Sequence, residues 1–179
     1  MGLLLQRLRR FWSRRYGVET EMRWLLAIGM AAATFYSFTT PPAAGFQQPE
    51  MARIIFFHLP CAFLASAWVI ATAWMGLRSL TSRTAMADAA HAAALEMSVI
   101  LLSATLATGI VFSHVQWGLW WQKDPRQTSF LLVWLLAMAG IALRTAVPEE
   151  RARAAASAAY SVASTLPILF LIFDSLIPE

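Results

Sequence analysis

The sequence predicts an all-α fold, a polytopic transmembrane helix bundle with about five spanning helices and a cytoplasmic N-terminus. Of its 179 residues, 59% are hydrophobic and 13% are charged, whereas a soluble domain usually carries about a quarter charged residues. Five stretches contain no charged residue, and each has at least the roughly 17 residues that one helical crossing takes. These stretches are 24–49, 54–77, 97–122, 127–143 and 154–173. Strands of alternating polarity, which a closed barrel needs, are absent from the sequence.

The uncharged stretches place the elements along the chain. A basic cytoplasmic N-terminal segment, 1–22, is expected to precede a single transmembrane domain, 23–179. An outer loop is expected at 116–128. The helices are expected near 23–39, 53–77, 89–115, 128–144 and 151–173.

Prolines mark where these helices begin, end or weaken. The tandem proline at 41–42 ends the first helix, because two prolines cannot continue it. Pro60 lies in the outer turn of the second helix, where its missing N–H loosens the backbone close to His58. Asp124 and Pro125 are expected at the N-cap and at the first position of the fourth helix.

The distribution of basic residues indicates the orientation. With the N-terminus in the cytoplasm, 11 of the 14 Lys and Arg fall on the inner side, which is the bias that membrane insertion favours. The basic head is therefore expected to be a topology signal. It is not expected to bind nucleic acid, and no clear cleavage site follows it. This orientation places His58 and the 116–128 loop outside, and His91 and Asp88 inside.

The outer loop carries the most unusual segment, which reads W-G-L-W-W-Q-K-D-P-R-Q-T over 117–128. Three of the chain's eight tryptophans fall within five residues of it. One interpretation is an aromatic belt at the membrane interface, where indole rings are enriched. The other is a platform for a large flat ligand, with Lys123 and Arg126 pairing with carboxylates at the edge of the ligand.

This segment resembles the tryptophan-rich WWD signature of the cytochrome c assembly family, haem-handling membrane proteins of the CcmC/CcsA type, closest to the CcmC branch. The positions that match the family pattern in register are Trp117, Gly118, Trp120, Trp121, Asp124, Pro125, Arg126 and Thr128. The stretch 53–60, R-I-I-F-F-H-L-P, is similar to the family's outer histidine motif, with Leu59 in place of valine. Thr108-Gly109 and Leu166-Pro167-Ile168 also resemble the family.

The resemblance implies a haem-binding protein of the bacterial inner membrane that holds haem b as cargo at the outer face. His58 is the implied axial ligand of the haem iron, and haem commonly takes a histidine ligand. Arg126 or Lys123 is expected near the propionates. The platform for the macrocycle is implied to comprise Trp117, Gly118, Trp120, Trp121 and Asp124. The implied partners are a periplasmic haem chaperone, ABC-type transporter subunits of cytochrome c maturation and the lipid bilayer.

Three features depart from the family pattern. Lys123 stands where the family has a tryptophan, which removes one stacking face and adds a cation. His114 precedes the loop at a position where no family histidine is expected. The family continues into a second outer histidine and a sixth helix, which do not occur before Glu179. The second iron ligand is therefore expected to be absent, to be His114, to come from a partner chain, or to have been lost by truncation.

The function expected from these residues is haem delivery to a chaperone or apocytochrome. Enzymatic activity is not expected, because the sequence has no hydrolase or kinase motif and no zinc-type cluster. One alternative is a haem exporter or transporter subunit, which would need a polar path through the bundle. The other is a truncated structural assembly subunit that no longer binds haem, which Lys123 and the missing second histidine favour.

Overall fold

A computed structural model describes the backbone of residues 2–122 and 124–174, with side chains for 20–122 and 124–172. All regular structure in these residues is helical, which confirms the predicted fold class. The helices are α1 (Gly2–Thr39), a 3₁₀ turn (Met51–Ile54), α2 (Ile55–Ser82), α3 (Ala85–Trp117), α4 (Pro125–Ala146) and α5 (Glu150–Asp174).

Four helical segments are long and apolar enough to cross a membrane. They are Met51–Ser82, Ala85–Trp117, Pro125–Ala146 and Glu150–Ile172, and they correspond to the last four predicted spans. The first predicted span, 23–39, lies in α1, which is not among the four in the described residues. Its predicted start needs correction, because α1 is already helical from Gly2. Arginine, leucine and glutamine favour helix, so the basic segment continues the helix that follows it.

The chain forms two compact units, Met1–Pro42 and Ala43–Glu179. The first unit contains α1, which stops at Thr39, just before the tandem proline that was predicted to end it. The second unit contains α2 to α5 and all the candidate site residues.

Small and branched side chains hold the second unit together. Within it, α2 and α4 each pack against both α3 and α5. Gly76 lets α2 approach α5 closely, because a Cβ there would lie 3.2 Å from the backbone oxygen of Ala158. Close approach through small residues is a common basis of helix association in membranes. The buried apolar core comprises Ala65, Val69, Leu102, Val133, Ala137, Ile168 and Ile172.

Buried hydrogen bonds cross the same interfaces. The hydroxyls of Thr72 and Ser98 lie 2.9 Å apart between α2 and α3. His91 is completely buried, and its Nε2 lies 3.0 Å from Oγ of Ser161 on α5. Because His91 is two turns into α3, it lies far from the 116–128 loop at the other end of that helix, as the sequence predicts.

An ion pair joins the start of α3 to the end of α4. Arg144 donates through both terminal nitrogens to the carboxylate oxygens of Asp88, at 2.7 and 3.0 Å. The two side chains are 15% and 17% exposed, so the pair is mostly shielded by the bundle. The sequence indicates which end of the bundle Asp88 occupies, but it does not reveal this partner.

Candidate functional site

His58 lies one turn into α2 with its ring against α3. Its Nδ1 lies 2.9 Å from the hydroxyl oxygen of Thr108. The ring can approach this closely because residue 109 is glycine: a Cβ there would lie 3.1 Å from Cε1 of His58. The Thr105 backbone is a further hydrogen-bond partner of the ring, and Nε2 is not one of the buried side-chain atoms that lack a partner in the described residues. Because the ring is only partly buried and its side-chain bond is at Nδ1, Nε2 is the candidate ligating nitrogen.

The 116–128 loop begins where α3 ends at a glycine. Gly118 adopts a φ of 76°, which favours glycine, and its N–H donates to the backbone oxygen of His114. At the other end of the loop, the Asp124 side chain accepts a hydrogen bond from the backbone N–H of Arg126 at 2.8 Å, and Pro125 opens α4. This confirms the predicted N-cap of the fourth helix.

Side chains from both flanking helices fix the path of the loop. The amide of Gln127 donates to the backbone oxygen of Trp120 at 3.1 Å and accepts from the backbone N–H of Gln122 at 2.8 Å. The Ser113 hydroxyl donates to the backbone oxygen of Leu119 at 3.1 Å. Because these bonds use backbone groups of the loop, they hold its shape and leave the indole rings uncovered.

The three tryptophans of the loop are substantially exposed. Trp117, Trp120 and Trp121 have 50%, 59% and 39% of their surface accessible. Trp117 packs edge-on against Phe112 of α3, with ring centroids 5.6 Å apart. The loop therefore presents broad indole faces on a backbone held by specific hydrogen bonds.

His114 supports one of these indoles. Its imidazole stacks on the Trp120 ring with centroids 3.8 Å apart and planes 4° apart. Its Nδ1 is buried and has no hydrogen-bond partner among the described residues. The stacking covers one face of Trp120 and leaves the other available, so the geometry favours a supporting role for His114.

Hydrogen bonds and an aromatic contact join the segment before α2 to the end of α3. Gln116 is 1% exposed, and its side-chain amide bonds both the backbone N–H and the backbone oxygen of Gln48, at 3.1 and 3.0 Å. Phe46 packs edge-on against Phe112 with centroids 5.8 Å apart. Sequence reasoning missed these residues. A glutamine at the end of an apolar helix was the available signal, because a buried amide needs partners.

Helix α3 carries both halves of the candidate site. Thr108, which holds His58, and Trp117, which begins the loop, are separated by about 14 Å along the helix axis, at about 1.5 Å per residue. No hydrogen bond joins His58 to the loop within the described residues.

The Arg126 side chain is exposed in the first turn of α4, while Lys123 lies outside the described residues. Within the described residues, no group of three or more His, Cys, Asp or Glu could hold a bare metal ion.

The chain matches a family model. The model described as CcmC, heme exporter protein C, matches residues 7–173, which is nearly the whole sequence. The family match includes α2 with His58, α3, the tryptophan loop and α4.

Curated relatives named heme exporter protein C are similar to the chain. One from Paracoccus denitrificans is 36% identical over 129 residues, covering 69% of this chain and 52% of the relative. One from Bradyrhizobium diazoefficiens is 35% identical over 149 residues, covering 81% and 54%. One from Escherichia coli K12 is 30% identical over 131 residues, covering 72% and 53%. The chain thus spans about half the length of the curated relatives it matches.

Proposed function

Because the chain belongs to the heme exporter protein C family, we propose that this multi-pass inner-membrane protein binds haem at its outer face and presents it for cytochrome c maturation. The observation that carries the proposal is the partly exposed imidazole of His58, bonded through Nδ1, against the half of α3 that ends in a loop of exposed indoles. A histidine ligand combined with exposed indole rings suits a flat apolar ligand that contains a metal.

A metal already held by a macrocycle fits the described residues better than a bare ion. A bare ion needs several protein ligands, and no such group occurs in the described residues. Haem iron has four nitrogen ligands from the porphyrin and takes a histidine as an axial ligand. A single nitrogen, Nε2 of His58, would supply that bond.

The loop would hold the macrocycle by stacking. Indole rings give large contact areas and prefer offset or edge-on arrangements with other aromatic rings. In this proposal Trp117, Trp120 and Trp121 contact the porphyrin, whereas Gly118 and Asp124 fix the two ends of the loop. The stacking of His114 on Trp120 keeps that indole in place.

The charged edge of haem would face the start of α4. Arg126 is exposed beside the N-terminus of that helix, where an arginine can pair with a propionate in a bidentate manner. Lys123 is a second candidate for a propionate contact. A loop exposed at the outer face would let a periplasmic chaperone take the cargo, with ABC-type transporter subunits as further partners of the assembly.

The proposal is tested by the visible spectrum of the protein purified in detergent after expression with ample haem. We expect a Soret band in the wild type, its loss in His58→Ala, and a weaker band in Trp120→Ala. Haem affinity should fall by several-fold to about 10-fold in Trp120→Ala, since an aromatic pair contributes about 0.5–1.5 kcal/mol beyond the area that is buried. Trp74→Ala is the matched control, because Trp74 is an equally exposed tryptophan, 68% accessible, far along α2 from His58.

Two outcomes would contradict the proposal. A wild type that purifies folded but shows no Soret band does not bind haem. An equal loss of the band in Trp74→Ala and Trp120→Ala would mean that the loop has no specific role. A band that survives in His58→Ala would instead transfer the ligand assignment to another residue.

A further inference from the structure

The bond between His58 and Thr108 specifies where the proton of the imidazole lies. A threonine hydroxyl has one hydrogen, and Thr108 donates it to the backbone oxygen of Ala104, at 2.7 Å, with Thr105 O at 3.1 Å. With its hydrogen on that carbonyl, the Thr108 oxygen accepts at the 2.9 Å contact with Nδ1 of His58, and the Thr105 backbone is a further hydrogen-bond partner of the same ring. In this arrangement Nδ1 carries the hydrogen, and Nε2 of the neutral ring keeps a free lone pair.

Gly109 sets the orientation of the same ring. A Cβ at this position would lie 3.1 Å from Cε1, 3.7 Å from Nδ1 and 4.0 Å from Nε2. The Cε1–Nδ1 edge of the imidazole therefore lies directly against the α3 backbone. Any side chain at 109 would push this edge away and lengthen the bond to Thr108.

We propose that Thr108 is a positioning residue that holds His58 as the Nδ1–H tautomer with Nε2 ready to bind iron, and that Gly109 provides the clearance this requires. Histidine ligands generally donate their other N–H to a partner that fixes the tautomer and raises the basicity of the ligating nitrogen. Here a helix hydroxyl, itself oriented by a backbone carbonyl, is that partner. The role of the iron in this inference rests on the proposed function, whereas the tautomer does not.

The tautomer can be measured without haem. In the ¹⁵N-histidine NMR spectrum of the haem-free protein, assigned with His58→Gln, we expect a protonated Nδ1 and an unprotonated Nε2 for His58. Thr108→Val removes the hydroxyl at nearly constant volume and should give a mixture of tautomers. Thr108→Ser retains a hydroxyl and should restore the wild-type signals.

Haem titration provides the second readout. Thr108→Val should weaken haem binding by about 10-fold or more, the usual effect of losing such a partner, and Thr108→Ser should recover most of the affinity. Gly109→Ala should weaken binding as well. Thr165→Val is the matched control, because its hydroxyl donates to the backbone oxygen of Ser161 within α5.

The outcomes separate this inference from the proposed function. A protonated Nε2 on His58 in the wild type, or unchanged haem affinity in Thr108→Val, would overturn the inference. Equal losses in Thr165→Val and Thr108→Val would also overturn it, since a general packing defect would explain both. The expected tautomer in a wild type that binds no haem would support the positioning role and reject the proposed function.

Discussion

Three polar side chains of α3 each form hydrogen bonds with a different segment of the chain. Thr108 bonds to His58, Gln116 fastens the segment before α2, and Ser113 holds the tryptophan loop. Their hydrogen bonds reach three different chain segments because successive helix residues point in different directions. A change at any of these positions should therefore disturb one part of the site and spare the others.

The stacking of His114 on Trp120 predicts how two substitutions at position 114 should change haem affinity. His114→Leu removes the aromatic face beneath Trp120, so haem affinity should fall several-fold, in line with the roughly 0.5–1.5 kcal/mol that an aromatic pair contributes. His114→Phe keeps a ring to stack on and should retain most of the affinity, as measured by haem titration. If His114 were an iron ligand, both variants would lose the Soret band equally, and the supporting role would be wrong.

At the scale of the helices, uncharged runs in the sequence predict five spans, and four of them correspond to helices long and apolar enough to cross a membrane in the described residues. These runs do not predict where each helix ends. The N-cap at Asp124 was predictable because Asp-Pro has a local capping preference. By contrast, α3 begins at Ala85, four residues before its predicted start, capped by the Thr84 side chain. The bonds from His58 to Thr108 and from Asp88 to Arg144 depend on how neighbouring helices rotate and pack. Sequence periodicity does not specify that packing for nearly uniform apolar stretches.

The Asp88–Arg144 pair allows the α3–α4 contact to be tested. Arg144→Met leaves the partly shielded carboxylate of Asp88 without a partner and should lower the stability by about 1–2 kcal/mol, between the values for exposed and buried pairs, as measured by thermal unfolding in detergent. Arg78→Met, which changes an exposed arginine at the end of α2, should have little effect. Asp88→Asn combined with Arg144→Met should recover part of the loss, because no unpaired charge is left. A double variant as unstable as Arg144→Met alone would argue against this account.

At the scale of the whole molecule, the two ends of the bundle differ in chemistry. One end carries the tryptophan loop, the 3₁₀ turn and His58. The other end carries the Asp88–Arg144 pair together with Arg78, Arg83, Arg151 and Arg153. Since basic residues are retained in the cytoplasm during membrane insertion, the end with the tryptophan loop should face the periplasm.

Labelling of single cysteines tests this orientation. In a Cys61→Ser background, Leu119→Cys places a thiol at a loop position that is 57% exposed, and Thr81→Cys places one at the opposite end of α2. A membrane-impermeant maleimide should label the Leu119→Cys variant in cells whose outer membrane alone is permeable. It should label the Thr81→Cys variant only after the inner membrane is opened. The reverse pattern would place the tryptophan loop in the cytoplasm, where it could not deliver haem to a periplasmic chaperone, and would reject the proposed function together with the orientation.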